Sequence, residues 1–451
     1  MRLSDRIRSA RDGQAFVPNT GGETVKPAGE TYNTVKSLVH FRLVEVFDME
    51  AIARMPRNEL EASIRDTLQH ITATENVPLN SRERSALVND LINEILGFGP
   101  IEPLVQDSSV QDILVNGYES IYVERNGILQ RVPLRFRDNS HLLQIIDKIV
   151  SAVGRRIDES SPMVDARLPD GSRVNVIVPP LALDGPMLSI RKFGSIPLTM
   201  ERLIETLSLT PEMAAYLQSA IRAKLNILIS GGTGAGKTTL LNVLSGYIPD
   251  NERIITIEDS AELQLKQPHV GRLEARPANI EGRGEVTLSD LVKNSLRMRP
   301  DRIIVGEARG GEVVDMLQAM NTGHPGSMST IHTNSPKDAL ARMEVMLSMG
   351  NAQFSEQGMR GLIASAIHII VQLSRLPDGQ RRVVSITEIE GFEGAAIGMQ
   401  DVVRFVQEGI DTEGRTHGRF QASGKPSRFE EHIRSYGMDV PPELYTLNRK
   451  V

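Results

Sequence analysis

The sequence predicts an α/β protein of two or three domains, because its pattern changes twice along 451 residues. The first part carries apolar residues at helical spacing, which indicates amphipathic helices. The second part has short strands bounded by Asn-Gly pairs and one amphipathic helix. Beyond Leu198, compact apolar strands alternate with helices, as a parallel sheet requires.

Composition excludes several classes of protein. With 40% apolar and 24% charged residues the chain has a globular balance. The absence of cysteine excludes disulfides, thiolate zinc sites and cysteine nucleophiles. A net charge of −6 argues against a generally basic nucleic-acid binder. We find neither a signal peptide nor the apolar run, about 18 residues long, that a membrane-spanning helix needs, so a cytoplasmic location is expected.

The first hundred residues predict a flexible arm followed by helices. Residues 1–30 are polar and without periodicity, so they are predicted to form the arm. Residues 31–96 are predicted to form a helical bundle. Asn80 followed by Glu83 is typical of a capping box, which would open the last helix of that bundle.

Residues 97–198 are predicted to form an α+β module. SVQDILVNG (109–117) and the strands that follow alternate in the manner of half-buried strands, and a helix is expected at about 140–153. The remaining chain, residues 199–451, is predicted to hold the parallel α/β core and a carboxyl-terminal extension.

The segment NILISGGTGAGKTTLLNVL (226–244) contains a complete Walker A pattern between an apolar strand and a helix. Glycines allow backbone N–H groups to turn toward phosphate oxygens, and the helix that follows presents its positive end to the same charge. Lys237 is expected to reach the β- and γ-phosphates, and the Thr238 hydroxyl to bind Mg²⁺. A glycine-rich turn with a chance lysine would not explain the spacing. The predicted nucleotide-binding residues here are Gly231, Gly232, Thr233, Gly234, Ala235, Gly236, Lys237, Thr238 and Thr239.

Three further motifs follow the loop in order. RIITIEDSAEL (253–263) is a strand that ends in Glu258 and Asp259. RPDRIIVGEARGGE (299–312) resembles a Walker B strand, although glycine occupies the usual aspartate position and is followed by Glu307. NTGHPGSMSTIHTN (321–334) carries His324 and His332. We find neither the Asn-Lys-x-Asp box of guanine-specific enzymes nor the signature loop of ABC-type ATPases.

These motifs resemble the Asp box, atypical Walker B and His box of the ATPases that drive type II secretion, type IV pili and type IV secretion. Segments 97–127, 165–180 and 391–405 are similar to the CpaF/TadA-type branch, the motors of Tad pili. The resemblance extends from about residue 32 to 446. It implies a RecA-like P-loop core, a preceding PAS-like module, ATP and Mg²⁺ as ligands, and ATP hydrolysis.

The resemblance also implies roles for the acidic residues and the histidines. Glu307 would polarise the attacking water, with Glu258 as the alternative catalytic glutamate. Glu258 and Asp259 would share Mg²⁺, partly through water, in place of the missing Walker B aspartate. His324 and His332 would contact phosphate and transmit its loss.

P-loop motors often complete the nucleotide site with an arginine from a neighbouring subunit. By resemblance, Arg167, Arg173 and Arg191 of the α+β module would close over the nucleotide. Arg276 and Arg309 are further candidates within the core. For each of them a surface ion pair is an equally good interpretation.

The implied machine is a homohexamer at the cytoplasmic face of the bacterial inner membrane. It would act on a membrane platform, and through it on pilin, to add or withdraw subunits, and the sequence leaves that direction open. The alternatives are a conjugation-type secretion ATPase that moves protein or DNA, a RecA-like helicase and a scaffold that does not hydrolyse. Acidic charge and four per cent aromatic residues, with no tryptophan, disfavour the helicase and direct nucleic-acid binding.

Overall fold

The computed structural model describes residues 57–74, 80–125, 128–192, 198–276, 278, 283–350, 354–393 and 396–451. The predicted arm and the helices expected before residue 57 lie outside the described residues. The described chain divides into two compact units, which meet in sequence after Lys192; Ile128 groups with the second unit. The units are described separately below.

The described part of the first unit begins with two helices, α1 (Arg57–Thr74) and α2 (Ser81–Ile95). The predicted capping box is confirmed: Glu83 N–H donates to Asn80 Oδ1, and Asn80 N–H donates to Glu83 Oε2, both at 2.9 Å. This exchange satisfies two backbone donors that the first turn of a helix leaves open.

A six-stranded antiparallel sheet forms the body of the first unit, in the order β3-β2-β1-β6-β5-β4. Apolar side chains at every second position meet α4, whose inward face carries Leu142, Ile146 and Ile149. The strand order does not test whether this unit is PAS-like, so that assignment stays a prediction. The elements are α3 (Glu102–Gln106), β1 (Val110–Asn116), β2 (Ser120–Arg125), β3 (Ile128–Val132), α4 (Asn139–Ala152), β4 (Met163–Arg167), β5 (Arg173–Ile177) and β6 (Met187–Arg191).

The second unit is built on a ten-stranded sheet in the order β16-β15-β14-β13-β12-β7-β11-β10-β8-β9, and its parallel part is described first. Strands β7 to β12 are parallel to one another. Their elements are α5 (Met200–Glu205), α6 (Pro211–Arg222), β7 (Ile227–Gly231), α7 (Lys237–Ser245), β8 (Ile254–Glu258), β9 (Val270–Glu274), α8 (Leu288–Ser295), β10 (Arg302–Ala308), α9 (Glu312–Asn321), β11 (Met328–Ile331), α10 (Pro336–Met349), α11 (Glu356–Ala366) and β12 (Ile369–Arg375).

The remaining strands form an antiparallel extension on β12. The expected alternation of strands and helices is wrong for this part, because three antiparallel strands follow β12 directly. Glu388, fully buried on β13, accepts hydrogen bonds from Tyr216 Oη at 2.5 Å and Arg428 N at 2.8 Å, which joins the extension to α6. The elements are β13 (Arg381–Glu393), β14 (Ala396–Ile410), β15 (Thr416–Ala422), α12 (Glu430–Ser435) and β16 (Asn448–Lys450).

Asn226 aligns the central strands at the edge where they begin. Its backbone N–H donates to His368 Nδ1 at 2.8 Å, and its side-chain Nδ2 donates to Ala366 O at 2.7 Å. Its Oδ1 accepts the N–H groups of Gly326 at 2.7 Å and Ser327 at 3.1 Å. One buried side chain thereby connects the starts of β7, β11 and β12. The opposite edge, where these strands end, carries the predicted site.

Candidate active site

The Walker A loop follows the fully buried strand β7, and α7 begins at Lys237. Two of its glycines have positive φ, 68° at Gly234 and 96° at Gly236, a conformation that other residues adopt at a cost. Gly231 is needed for space, since an added methyl group would lie 2.9 Å from Leu373 O on β12. Lys237 Nζ donates to Gly232 O at 3.2 Å, so the lysine folds back over the loop. Thr238 and Thr239 stand in the first turn of α7.

Glu258 ends β8 as a nearly fully buried carboxylate. Its Oε2 accepts the backbone N–H groups of Glu262 at 2.7 Å and Leu263 at 3.0 Å, while its Oε1 is buried without a hydrogen-bond partner in the described structure. Burial raises the pKa of the Glu258 carboxyl, and the two backbone donors oppose that shift. A buried carboxylate oxygen with nothing bound to it is suited to a proton, a water or a cation.

The packing around Gly306 explains why the Walker B-like motif lacks its usual aspartate. It lies on β10 beside β8, in the row directly after the pair Ile257 and Val305. A methyl group added at Gly306 would lie 2.9 Å from Glu258 Cγ and 3.6 Å from Glu258 Oε2. A side chain at position 306 would therefore need the space that Glu258 already fills.

Glu307 joins a chain of alternating charges across the site. Its Oε1 lies 4.0 Å from Lys237 Nζ, and its Oε2 accepts from Arg309 Nε at 2.8 Å. Arg309 also reaches Asp259, with 3.2 Å between Nη1 and Oδ2. Burial lowers the pKa of Lys237, although Glu307 opposes this shift. The structure thus brings Lys237, Glu307, Arg309 and Asp259 together beside the loop.

These residues fit Mg²⁺ bound with a nucleotide. No group of three or more metal-ligating side chains is preassembled in the described part of the chain. Mg²⁺ retains several waters and is held by one or two carboxylates together with phosphate oxygens. The orphaned Oε1 of Glu258 and the Thr238 hydroxyl supply such ligands. When bound, the ion would neutralise charge on the phosphates.

The two predicted histidines lie at opposite ends of β11. His332 directly follows that strand, on the edge of the loop, and burial and nearby Lys237 lower the pKa of its imidazole. His324 precedes the strand: its carbonyl accepts from Ser327 Oγ at 2.7 Å, and its N–H donates to Ala319 O at 3.3 Å. The structure does not bring His324 together with the loop.

The other predicted arginines are placed elsewhere. Arg276 lies after the edge strand β9, where its Nε donates to Gly284 O at 2.7 Å. Arg167, Arg173 and Arg191 belong to the first unit, where they are direct register partners on β4, β5 and β6. Arg191 also bonds Asp112, with 3.0 Å between Nε and Oδ1. Side chains of register partners point to the same face of a sheet, so these three form one cationic row.

Sequence reasoning missed the groups that support the loop from distant segments. Ser230 at the end of β7 is hydrogen-bonded to Thr333, and Gln372 Nε2 on β12 donates to Thr333 O at 3.3 Å. Arg381 Nε donates to Gly234 O at 2.8 Å from the start of β13. No local motif marks these residues, because the contacts are made only by the pairing of β11, β7 and β12 in the sheet.

Fold and site together define a mixed α/β protein with a P-loop beside paired acidic residues. Residues 94–416 match the Type II/IV secretion system protein family, and the chain belongs to that family. A putative conjugal transfer protein of Mycobacterium tuberculosis is 38% identical over 322 residues, which cover 70% of this chain and 91% of that protein. The conjugal transfer protein TrbB of Rhizobium radiobacter is 33% identical over 295 residues, covering 64% and 86%.

Among solved structures, the chain is similar to the VirB11 ATPase of the Brucella suis type IV secretion system in complex with sulphate. Identity is 27%, the match covers 64% of this chain and 94% of that one, and the TM-score is 0.36. Within the described residues, every helix is too short or too polar to cross a membrane.

Proposed function

We propose that this chain is an ATP-hydrolysing motor that powers assembly of a Tad-type pilus. The observation that supports hydrolysis is the convergence of Lys237, Glu307 and the buried Glu258 at one sheet edge. Phosphoryl transfer needs positioning and charge neutralisation more than covalent chemistry, and these residues are of the types that supply them. Lys237 would bind the terminal phosphates, and Glu307 would orient water toward the γ-phosphate.

The Tad assignment rests on resemblance outside the core. The segment GFEGAAIGMQDVVRF (391–405), which resembles the Tad branch, forms the end of β13 and most of β14. In this proposal a homohexamer at the inner membrane acts on a platform protein and moves pilin. The second candidate, a conjugation-type secretion motor, is favoured by the similarity to the two conjugal transfer proteins.

The cationic row of Arg167, Arg173 and Arg191 is proposed to supply positive charge to the nucleotide phosphates. Arg167, Arg173 and Arg191 lie side by side in register, and Asp112 pairs with Arg191 at the end of the row. A guanidinium group can bind phosphate oxygens through two parallel hydrogen bonds. Arg173, the middle member, is the residue to test. Arg173→Ala should slow ATP turnover at least tenfold, whereas Arg156→Ala, an exposed arginine outside the row, should not.

The motor proposal is tested with the full chain carrying Lys237→Ala. Steady-state phosphate release should fall below a hundredth of wild type, because the terminal phosphates lose their cation. Lys293→Ala, which removes an exposed lysine paired with Asp315, is the matched control and should retain turnover. Wild-type turnover in Lys237→Ala would refute the loop assignment.

The same two variants separate the candidate machines in the organism that encodes the chain. If the motor serves a Tad pilus, the Lys237→Ala strain lacks surface pili by electron microscopy and transfers protein or DNA normally. If it serves conjugation-type secretion, the strain keeps its pili and loses transfer. The second result would overturn the Tad assignment while leaving the ATPase intact.

A further inference from the structure

The turn between β12 and β13 contacts the Walker A loop on one side and β15 of the extension on the other. We call residues 375–381 the linking turn. It is closed by backbone hydrogen bonds from Leu376 N to Gln380 O at 2.8 Å and from Gly379 N to Leu376 O at 2.9 Å. These bonds restrain the shape of the turn between its two contacts.

The first contact is made by Arg381, whose Nε donates to the carbonyl of Gly234 at 2.8 Å. A methyl group added at Gly236 would lie 3.4 Å from Arg381 Cδ, so the arginine also packs against the loop. In a trans peptide the C=O and the following N–H point in opposite directions. Holding the Gly234 carbonyl therefore orients the Ala235 N–H, which donates to Gly232 O at 3.3 Å, so Arg381 helps to fix the shape of the loop. Arg381 is a positioning residue for the loop.

The second contact is made by Asp378, at the centre of the linking turn. Its Oδ2 accepts the backbone N–H of Thr416, the first residue of β15, at 2.8 Å. Its Oδ1 accepts the backbone N–H of Gln380 at 3.0 Å. One carboxylate thus fixes the shape of the turn and the start of β15. Thr416 is buried, so this bond is shielded from solvent.

From these two contacts we infer that nucleotide binding at the Walker A loop is coupled to the β14–β15 hairpin through the linking turn. The inference rests on the proposed function. A shift at the start of β15 would change nucleotide affinity although that strand does not form the Walker A loop. Coupling between two binding equilibria is reciprocal, so nucleotide must alter the hairpin to the same extent.

The forward direction is tested by hydrogen exchange of the full chain with and without Mg²⁺-ADP. In the wild-type chain, ADP should slow exchange at the Thr416 amide at least threefold. Arg381→Ala should abolish that slowing and weaken ADP binding about five- to tenfold, the lower part of the typical range for a coupling between sites. Arg381→Lys, which keeps a cation able to reach the carbonyl, should restore part of both effects. Arg415→Ala removes an exposed arginine paired with Glu413 and is the matched control.

The reverse direction is tested by changing Asp378 and measuring ADP affinity. Asp378→Ala should weaken ADP binding about five- to tenfold although the residue lies outside the Walker A loop. Asp378→Asn retains an oxygen acceptor and should weaken ADP binding less. Unchanged ADP affinity in Asp378→Ala would overturn this inference and leave the proposed function standing. Slowed hydrogen exchange at the Thr416 amide on ADP binding to Arg381→Ala would do the same. A wild-type chain that fails to bind ADP would overturn the proposed function, and this inference with it.

Discussion

Glu258 and Gly306 face each other on adjacent strands, and the glutamate side chain fills the space beside the glycine. A methyl group at Gly306 would lie 2.9 Å from Glu258 Cγ. The space beside Gly306, the position at which many P-loop enzymes carry an aspartate, is therefore filled by the Glu258 side chain from β8. A side chain at position 306 and the buried side chain of Glu258 would compete for the same space, so the missing aspartate and the buried glutamate have one cause.

Substitution at Gly306 should test that arrangement directly. Gly306→Ala should lower the free energy of unfolding by about 1–3 kcal/mol, because the methyl group overpacks a buried strand. Adding Glu258→Ala should recover part of the loss, so the two effects should differ from additivity by more than about 0.5 kcal/mol. Urea unfolding of the four proteins measures this. Gly361→Ala, on α11 where an added methyl group meets nothing within 4 Å, is the control and should not destabilise. Additive effects would contradict the packing argument.

The two glutamates should differ in what their loss does to catalysis. Glu307→Gln should bind ATP yet cleave it about a hundredfold more slowly, since the amide cannot polarise water as the carboxylate does. Glu258→Gln should slow cleavage and also weaken Mg²⁺ dependence, because it removes a carboxylate suited to the metal. Single-turnover cleavage over a Mg²⁺ titration separates them. Normal cleavage in Glu307→Gln would transfer the catalytic role to Glu258.

The two histidines should also separate. His332 directly follows β11 at the loop edge, so His332→Ala should lower kcat at least tenfold. His324 lies before the same strand, so His324→Ala should leave kcat within about twofold of wild type. Steady-state turnover at saturating ATP is the measurement. An equal loss of kcat in both variants would contradict this separation and show that His324 also contributes to turnover.

His368 should make stability depend on pH below neutrality. Burial lowers its pKa to about 4, and its Nδ1 accepts a hydrogen bond from Asn226 N. A group with a lowered folded pKa adds stability above its unfolded value, near 6.5, and loses it as pH falls toward the folded value. Between pH 7.5 and 5 the chain should lose about 2 kcal/mol through this group.

The matched variant is His368→Asn, whose side-chain oxygen can accept the same bond but does not titrate in this range. Unfolding by urea at both pH values gives the comparison. The wild-type chain should lose about 2 kcal/mol more than the variant on acidification. Identical losses would show that His368 does not carry the effect.

The Walker A loop could be predicted from the sequence because its residues are consecutive. The residues that support it could not, because they contact it only through pairing between distant strands. The Walker A spacing needs no tertiary information, because strand, glycines and helix are consecutive. The reason for Gly306 is visible only once β8 and β10 are neighbours. Arg381 reaches Gly234 across 147 positions, and no periodicity indicates such a contact.

The fold was predictable to the same extent. The helix expected at about 140–153 is present as Asn139–Ala152, because its apolar spacing is local. A carboxyl-terminal extension was expected, but its antiparallel pairing was not, because β13 and β14 are long and mixed in polarity. Their pattern does not reveal that they continue the sheet through β12.

Asn226 lies at the edge of the sheet opposite the Walker A loop, yet its hydrogen bonds align the starts of β7, β11 and β12. A strand advances about 3.3 Å per residue, so a slip of one residue at the start displaces its end by that distance and reverses its side chains. Ser230 and Thr333 meet only if the starts are aligned. A genetic screen for inactive variants should therefore recover changes at Asn226 alongside those at Lys237. Interpreting each recovered position as a ligand contact would place part of the site on the wrong edge of the sheet.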